Sequence, residues 1–317
     1  MKGWEFTATH VPLKIVEKPD PVAKPGYVVL KTKAGGLCHS DVSALEHESW
    51  MPMFAAPVIM GHEVCGEIVA IGEGVEGYEI GDVVAVCPLY AKDGTTPGYT
   101  RDGGYGTMTT APVEQLAKVP AGVTYAQAAA ATDAGGTSYH AVVTVGGIKA
   151  GMKVGIIGIG GLGQIGCRVA VVKGCEVYVA TRKKEAQELA LSLGAKEVAP
   201  SITAFADKGL DVIIDFAGGG QTTSDAIMTV KPHGRVVIVG MAADYANINT
   251  MAMITKELTF VGSQGSCVDE LRDCMALMAT GELDPIINTI SFDQIGEGID
   301  MLTNGQVKGR LVCVYDD

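Results

Sequence analysis

The sequence predicts an α/β protein: a doubly wound parallel sheet in the middle of the chain and a β-rich domain around it. Three observations support this prediction. Strand-like runs fill the first third, strands and helices alternate from about Met152, and the pattern becomes mixed again after Ser263. Alternating strands and helices are typical of a parallel sheet with helices on both faces. The 317 residues are enough for two domains of ordinary size.

The individual elements follow from hydrophobic runs and from the glycines between them. Strands are expected at 26–34, 63–71 and 82–87 in the β-rich part. The alternating part predicts strands at 152–159, 175–180, 211–216, 235–240 and 258–261, with helices at 161–172 and 183–193. The tail predicts helices at 268–280 and 292–303 and strands at 286–290 and 310–315, and it is expected to return to the first domain.

Composition and charge exclude several classes of protein. The chain is 47% hydrophobic and 19% charged, as in globular proteins, and its net charge of -12 argues against a nucleic-acid partner, which needs a basic surface. The start lacks the basic and apolar regions of a signal peptide. The apolar stretch 141–166 carries Lys149, Lys153 and many glycines, so a membrane span is not expected.

The eight cysteines lie far apart without paired spacing, which predicts reduced thiols in a cytoplasmic protein. Some lie inside apolar runs and are expected to be small core residues. These are Cys167, Cys175, Cys274 and Cys313.

The segment Gly158-Ile159-Gly160-Gly161-Leu162-Gly163 fits the pattern G-x-G-x-x-G of dinucleotide-binding turns. It follows a predicted strand and opens a predicted helix, which is the context that this pattern requires. Gly158 would allow the tight turn, Gly160 a close approach of the pyrophosphate, and Gly163 close packing of helix and strand. The alternative is a glycine-rich turn that binds nothing.

The end of the next strand predicts which dinucleotide binds. Sites for NAD usually have Asp or Glu there, whereas this chain has Thr181-Arg182-Lys183. The cations would attract a 2′-phosphate, so NADP(H) is expected. Alternatively, Arg182 and Lys183 only solvate the start of a helix, although cations are mildly unfavourable at that end.

Candidate metal ligands are Cys38, His62, Glu63 and Asp133. Each residue alone is a weak signal, because a lone Cys or His is more often a packed core residue. Their spacing in the chain does not define a site by itself.

The order of several motifs adds the missing specificity. They are Gly-x-Cys-x-Ser-Asp at 36–41, Gly-His-Glu at 61–63, Gly-Asp-x-Val at 81–84, Gly-Gly-Tyr at 103–105, the glycine-rich turn and Lys-Gly-Arg at 308–310. In this the chain resembles the zinc-containing medium-chain dehydrogenase/reductase (alcohol dehydrogenase) family along essentially its whole length. The resemblance implies a GroES-like catalytic domain, residues 1–133 and 264–317, and a Rossmann dinucleotide-binding domain, residues 134–263.

The resemblance also implies the ligands of one catalytic zinc. Cys38, His62 and Asp133 would be the protein ligands, with Asp133 in the place where many relatives have Cys. Glu63 would be a fourth, exchangeable ligand, and Asp41 would fix the ring of His62.

The implied activity is hydride transfer between NADP(H) and an alcohol with its aldehyde or ketone. Ser40 would pass the proton, Arg310 would contact the cofactor phosphates and Thr137 the nicotinamide, while Trp50 and Tyr90 would line the substrate pocket. The implied protein is a cytoplasmic homodimer or homotetramer that acts on a small molecule, with neither nucleic acid nor membrane as partner.

The chain departs from many relatives at two points. No cysteine lies between Tyr90 and Gly106, where relatives bind a structural zinc, so one zinc per chain is expected. Ser43 stands where many relatives have the His that ends the proton relay, which leaves the end of the relay open, with His47 nearby in the sequence.

Two other functions remain possible at this point. A zinc-free quinone or enoyl reductase of the same superfamily would generally lack the ligand set. A non-catalytic NADPH-binding sensor would need the glycine-rich turn but not Ser40 beside a metal site.

Overall fold

The computed structural model describes residues 1–316, and its backbone forms two compact units. Unit 1 comprises Met1–Gly136 and the chain from Ser266 onward, and unit 2 comprises Thr137–Gly265. The domain limits expected from the sequence, 133/134 and 263/264, stay predictions, because compactness of the backbone is a different criterion from independent folding.

Unit 1 is built on antiparallel strands. They are β1 (Lys2–Phe6), β2 (Lys14–Glu17), β3 (Tyr27–Leu37), β4 (Val58–Ile59), β5 (Glu63–Ile71), β6 (Val83–Val86), β7 (Met108–Pro112) and β8 (Leu116–Lys118). One sheet has the order β2-β1-β4. In the larger sheet β3 pairs with both β5 and β7, and β5 continues through β6 to β8.

Unit 2 contains a parallel sheet with the order β11-β10-β9-β12-β13-β14. Its strands are β9 (Lys153–Ile157), β10 (Glu176–Ala180), β11 (Glu197–Ala199), β12 (Val212–Asp215), β13 (Arg235–Ile238) and β14 (Thr259–Gly262). After unit 2 the chain adds β15 (Ile287–Ile290) and β16 (Arg310–Val314) to the large sheet of unit 1, where β16 pairs with β3.

The helices connect these strands. The α-helices are α1 (His39–Glu46), α2 (Tyr125–Ala130), α3 (Gly136–Tyr139), α4 (Gly161–Val172), α5 (Lys184–Ser192), α6 (Gln221–Thr229), α7 (Thr250–Thr255), α8 (Val268–Ala279) and α9 (Ile295–Thr303). Two π-helical turns span Ala131–Gly135 and His140–Val145, and 3₁₀ turns span Glu48–Met53, Val113–Gln115, Ile202–Phe205 and Phe292–Gln294. Among the described residues, no helix has both the length and the apolar composition that crossing a bilayer requires.

Alternate residues of the strands build the core of the large sheet. Val28 and Leu30 on β3 pack with Val64 and Ile68 on β5 and with Val84 on β6, and all five side chains are buried. The period of two places one face of each strand in this cluster. The core therefore holds β3 and β5 in a fixed register, and both strands lead to candidate ligands.

The predicted fold class is confirmed. The differences lie at element ends and in elements that the sequence did not predict, among them β1, β2, β7, β11, α6 and α7. The sequence predicts a strand at 26–34, whereas β3 continues through Gly35 and Gly36 to Leu37. A Cβ on Gly35 would lie 2.4 Å from the carbonyl oxygen of Gly104, so these glycines allow close packing within a strand. The expected helix 292–303 begins as a 3₁₀ turn and becomes α-helical at Ile295.

The described cysteines are free thiols. The expected burial of Cys167, Cys274 and Cys313 is confirmed, but that of Cys175 is wrong. Cys175 is half-buried because it lies in the turn between α4 and β10.

In the segment 90–106, which lacks cysteine, Arg101 joins several parts of the chain. Its guanidinium group donates to the carbonyl oxygen of Thr110 at 3.0 Å and to the hydroxyl of Thr95 at 2.7 Å. It also donates to the side-chain oxygen of Gln115. One planar side chain with several N–H donors thus ties this segment to β7 and to the turn that follows β7.

We expect Arg101→Leu to lower the free energy of unfolding by about 2–4 kcal/mol, because it leaves several part-buried acceptors without a donor. Chemical denaturation would measure the change. The control is Arg272→Leu, since the Arg272 side chain is 53% exposed and pairs with Asp269 on the surface; it should change stability by about 0.5 kcal/mol or less. Equal small effects of both substitutions would contradict this role of Arg101.

Candidate functional site

Four potential metal ligands converge in unit 1 from three stretches of chain. Cys38 is the N-cap of α1 directly after β3, His62 directly precedes β5, and Glu63 is the first residue of β5. Asp133 lies in the π-helical turn Ala131–Gly135, a conformation that is frequent at functional sites. Their ligand atoms all lie within 4.8 Å of one another.

The distances in this cluster fit a small tetrahedral cation. Oδ2 of Asp133 lies 3.5 Å from Sγ of Cys38 and 3.4 Å from Nε2 of His62. Zinc bond lengths of about 2.0–2.3 Å place neighbouring tetrahedral ligands about 3.3–3.8 Å apart. The two distances from Asp133 thus meet the tetrahedral spacing, and all ligand atoms of the cluster lie within 4.8 Å of one another.

The chemistry of the donors and an unsatisfied atom support the same fit. A thiol, an imidazole and carboxylates are the usual zinc ligands in proteins. Glu63 is fully buried, and its Oε2 has no hydrogen-bond partner in the described part of the chain. An unpaired buried carboxylate oxygen is costly, and a bound cation would supply the partner for this atom. The residues therefore fit a zinc ion.

Asp41 connects two of these ligands. It is 1% exposed, and its Oδ2 accepts a hydrogen bond from the backbone N–H of Cys38 at 2.9 Å. Its Oδ1 lies 3.3 Å from Nδ1 of His62, the ring nitrogen opposite the one that faces Asp133. A carboxylate in this position fixes the orientation of a ligating imidazole.

Glu63 and Arg310 form a buried ion pair through Oε1 of the carboxylate. Burial raises the pKa of Glu63 to about 8, although the charge of Arg310 opposes this shift. Burial alone would lower the pKa of Arg310, but Glu63 raises it above its ordinary value. Arg310 therefore stays charged beside the cluster. Its expected contact with cofactor phosphates stays a prediction, and its ion pair with Glu63 was not foreseen.

The charges of the cluster also act on His62 and Asp133. Burial alone would lower the pKa of His62, but Tyr99, Asp41 and Asp133 raise it well above the ordinary value. Burial alone would raise the pKa of Asp133, but His62 and Arg310 hold it below its usual range. The neighbouring carboxylates thus favour the protonated imidazole, and a metal bound by His62 would compete with that proton.

Ser40 lies in the first turn of α1, half-buried, with Oγ accepting a hydrogen bond from Sγ of Cys38 at 3.6 Å. A simpler role, capping of this helix, does not fit the geometry. The N-cap is Cys38, and the side chain of Asp41 accepts from its backbone N–H. The Ser40 hydroxyl is thus free of the capping duty and lies next to a candidate ligand.

An aromatic side chain that the sequence did not single out lies beside His62. The ring of Tyr99 meets the ring of His62 edge-on at 5.5 Å and stacks on Phe54 at 4.4 Å. Of the predicted pocket residues, Trp50 packs against the core cluster of unit 1 and Tyr90 is 68% exposed. Tyr99 belongs to none of the sequence motifs, so its position beside His62 is visible only in the structure.

In unit 2 the glycine-rich turn has the geometry that its pattern predicts. Gly158 has φ +87°, which favours glycine, and a Cβ on Gly163 would lie 1.9 Å from the carbonyl oxygen of Gly158. A Cβ on Gly160 would meet no atom within 4 Å, so packing does not explain this glycine. The space is instead open to a ligand that approaches the backbone closely.

Helix α4 begins at Gly161, followed by Leu162, and its N-cap Gly160 offers no side-chain acceptor. The first backbone N–H groups are therefore available to an anion. Leu162 also accepts, through its carbonyl oxygen, a hydrogen bond from Ser138 at 2.9 Å. Thr137, the neighbour of Ser138 on α3, is buried.

The residues directly after β10 include two cationic side chains without a carboxylate partner in the described part of the chain. Arg182 and Lys183 are exposed, and in the described part of the chain neither forms an ion pair with a carboxylate. Thr181 is half-buried and its backbone N–H donates to the carbonyl oxygen of Ala199 at 2.9 Å. The strand end therefore presents positive charge and no acid.

Comparison with known proteins gives consistent matches over both units. The family "Alcohol dehydrogenase GroES-like domain" matches residues 24–121, and the family "Zinc-binding dehydrogenase" matches residues 161–280. An alcohol dehydrogenase of Geobacillus stearothermophilus is 29% identical over 324 residues, covering 95% of this chain and 95% of that protein.

Solved structures resemble the whole chain. Acetophenone reductase from Geotrichum candidum, in complex with NAD, has a TM-score of 0.90 and 30% identity, covering 99% of this chain and 96% of that one. The 2R,3R-butanediol dehydrogenase from Bacillus subtilis has a TM-score of 0.89 and 26% identity, covering 99% of each chain. With its motifs, ligand cluster and full-length relatives in agreement, the chain belongs to the zinc-containing medium-chain dehydrogenase/reductase family, that of the alcohol dehydrogenases.

Proposed function

We propose that one zinc ion and NADP(H) serve the alcohol and carbonyl oxidoreduction that this chain catalyses. The observation that carries the proposal is the cluster of Cys38, His62, Glu63 and Asp133, with ligand atoms within 4.8 Å of one another. A zinc-free reductase would not require four metal-ligating side chains around one point. The names of the relatives specify alcohols as the substrates of two of them and a ketone as the substrate of the third. The proposed substrate class is therefore an alcohol with its aldehyde or ketone.

Cys38, His62 and Asp133 would hold the zinc, and Glu63 would be an exchangeable fourth ligand. Zinc, when bound, supplies a Lewis acid that polarises a carbonyl or acidifies an alcohol. Glu63 can leave without becoming an unpaired charge, because Arg310 already contacts its other oxygen. The buried ion pair thus supports an open position for substrate.

The proton of the substrate hydroxyl would pass through Oγ of Ser40. A hydroxyl can donate and accept at once, as a relay requires. Its contact with Sγ of Cys38 places Oγ beside the ligand cluster, and no capping bond holds it away. Asp41 would act by orienting His62. The edge of Tyr99 beside His62 supports a place for this ring in the substrate pocket, where it is a better candidate than the exposed Tyr90.

NADP(H) would bind at the glycine-rich turn of unit 2, with the pyrophosphate at the start of α4. The cofactor, when bound, supplies the hydride chemistry. The open face of Gly160 and the uncapped helix support this position. The free cations Arg182 and Lys183, with the neutral Thr181, favour the 2′-phosphate over the bare ribose of NAD. As in the family at large, a homodimer or homotetramer is the proposed assembly.

The zinc proposal predicts about one zinc per chain by elemental analysis. Cys38→Ala and Asp133→Ala should lose metal and activity together, because each removes a ligand. The matched control is Cys167→Ala, a buried free thiol on α4 in unit 2, which should keep its zinc. Two zinc ions per chain, or none in protein prepared without chelator, would contradict the proposal.

The cofactor proposal predicts a higher kcat/KM with NADPH than with NADH. Arg182→Ala should lower kcat/KM for NADPH by about 10- to 100-fold, since a charge-assisted contact to phosphate is lost. NADH is the internal control because it lacks the 2′-phosphate, and its value should hardly change. A preference for NADH in the unaltered chain would overturn the assignment.

The relay proposal predicts that Ser40→Ala lowers kcat by about 10²–10⁴-fold while zinc content and NADPH affinity stay normal. Ser192→Ala, an exposed serine at the end of α5 in unit 2, is the control and should retain turnover. All three quantities should be measured on one preparation of each variant. Near-normal kcat in Ser40→Ala would show that the hydroxyl plays no part in proton transfer.

A further inference from the structure

The segment Gly103–Tyr105 lies directly beside the chain that leads into His62. The backbone N–H of Gly104 donates to the carbonyl oxygen of Gly61 at 2.6 Å, and that of Tyr105 donates to the carbonyl oxygen of Met60 at 2.9 Å. Backbone hydrogen bonds thus join Gly104 and Tyr105 to Met60 and Gly61, the two residues before the candidate ligand His62.

The ring of Tyr105 packs on the peptide that precedes His62. Gly61 has φ +92°, and a Cβ there would lie 2.5 Å from Cδ1 of the Tyr105 ring. Only a residue without a Cβ leaves room for the ring in this place. The packing of the Tyr105 ring therefore fixes the backbone at Gly61, the residue that precedes the candidate ligand His62.

The hydroxyl of the same side chain reaches Asp41. Tyr105 is fully buried, and its O–H donates to Oδ2 of Asp41 at 2.6 Å. The same oxygen accepts from the backbone N–H of Cys38, while Oδ1 faces Nδ1 of His62. A phenyl ring in this place would fill the same space but would leave the buried carboxylate with one donor fewer.

We propose that Tyr105 is a positioning residue for the metal centre: it fixes His62 through the Gly61 peptide and through the Asp41 carboxylate. The hydroxyl holds the carboxylate so that one oxygen serves Cys38 and the other serves His62. Without the hydroxyl, Asp41 can turn and His62 loses its orienting partner. This inference rests on the proposed zinc site, since a positioned imidazole matters only if it binds a metal.

Residues that orient a ligating His typically contribute 10–100-fold to metal affinity. We therefore expect Tyr105→Phe to bind zinc about tenfold or more weakly, measured by competition with a chromophoric chelator. In Co²⁺-substituted protein the visible absorption bands should also shift, because they report the ligand geometry. The ring is retained, so its packing on Gly61 should persist.

Tyr178→Phe is the matched control. Tyr178 is 2% exposed, and its hydroxyl contacts a carboxylate, Glu176, in unit 2. It should lose a part-buried contact between a hydroxyl and a carboxylate without any change of zinc affinity or Co²⁺ spectrum. A general loss of stability would affect both variants, whereas a positioning role affects only Tyr105→Phe.

A double-variant cycle tests whether Tyr105 acts through Asp41. Asp41→Asn should weaken zinc binding by itself, and adding Tyr105→Phe should then produce little further loss. Additive losses, or a Tyr105→Phe variant with the zinc affinity and Co²⁺ spectrum of the unaltered chain, would overturn the inference. If the unaltered chain itself failed to bind zinc, the proposed function would fail instead, so the two failures are distinguishable.

Discussion

Burial of several carboxylates in one small region of unit 1 is the constraint on which the site depends. Asp41 and Glu63 are almost completely buried, and Asp133 is 20% exposed. Ionised groups this close together repel one another and lose their hydration, so each needs a cation or a set of donors. Arg310 supplies a fixed positive charge, and Tyr105 supplies a hydroxyl as hydrogen-bond donor. The potential metal-ligand atoms of the cluster lie close together around one point.

The conformation of the backbone makes this burial of carboxylates possible. On β3 and β5, Gly36 pairs with Glu63, and a Cβ on Gly36 would lie 1.8 Å from Oε2 of Glu63. The carboxylate can occupy its position only because the facing residue has no side chain. The π-helical turn then adds the residue that turns Asp133 toward the same point. A glycine in the strand facing Glu63 and a π-helical turn thus bring distant residues within ligand distance.

The sequence was sufficient for the fold class and the family, because ordered motifs and alternating strands and helices are local properties. It could also name the four candidate ligands, since each lies in or beside such a motif or matches its place in the family. It could not supply the partners of those ligands. Arg310 reaches Glu63 across 247 residues, and only the pairing of β16 with β3 and of β3 with β5 brings them together. Tyr105 was visible as part of Gly-Gly-Tyr, but its contact with Asp41 depends on long-range packing.

The number of hydrogen-bond donors, more than burial, distinguishes the candidate ligand Glu63 from a carboxylate that stabilises a loop. Asp215, at the end of β12 in unit 2, is as buried as Glu63. Both of its oxygens are saturated, by the backbone N–H groups of Ala217 and Gly218 and by the hydroxyls of Thr222 and Thr223. A carboxylate with four donors holds a loop in place and has nothing left for a ligand. Glu63 has the guanidinium of Arg310 on one oxygen and no donor from the described chain on the other. The carboxylate of Asp215 therefore stabilises a loop in unit 2, whereas that of Glu63 is available as a ligand in unit 1. The difference lies in the number of hydrogen-bond donors that the fold provides to each.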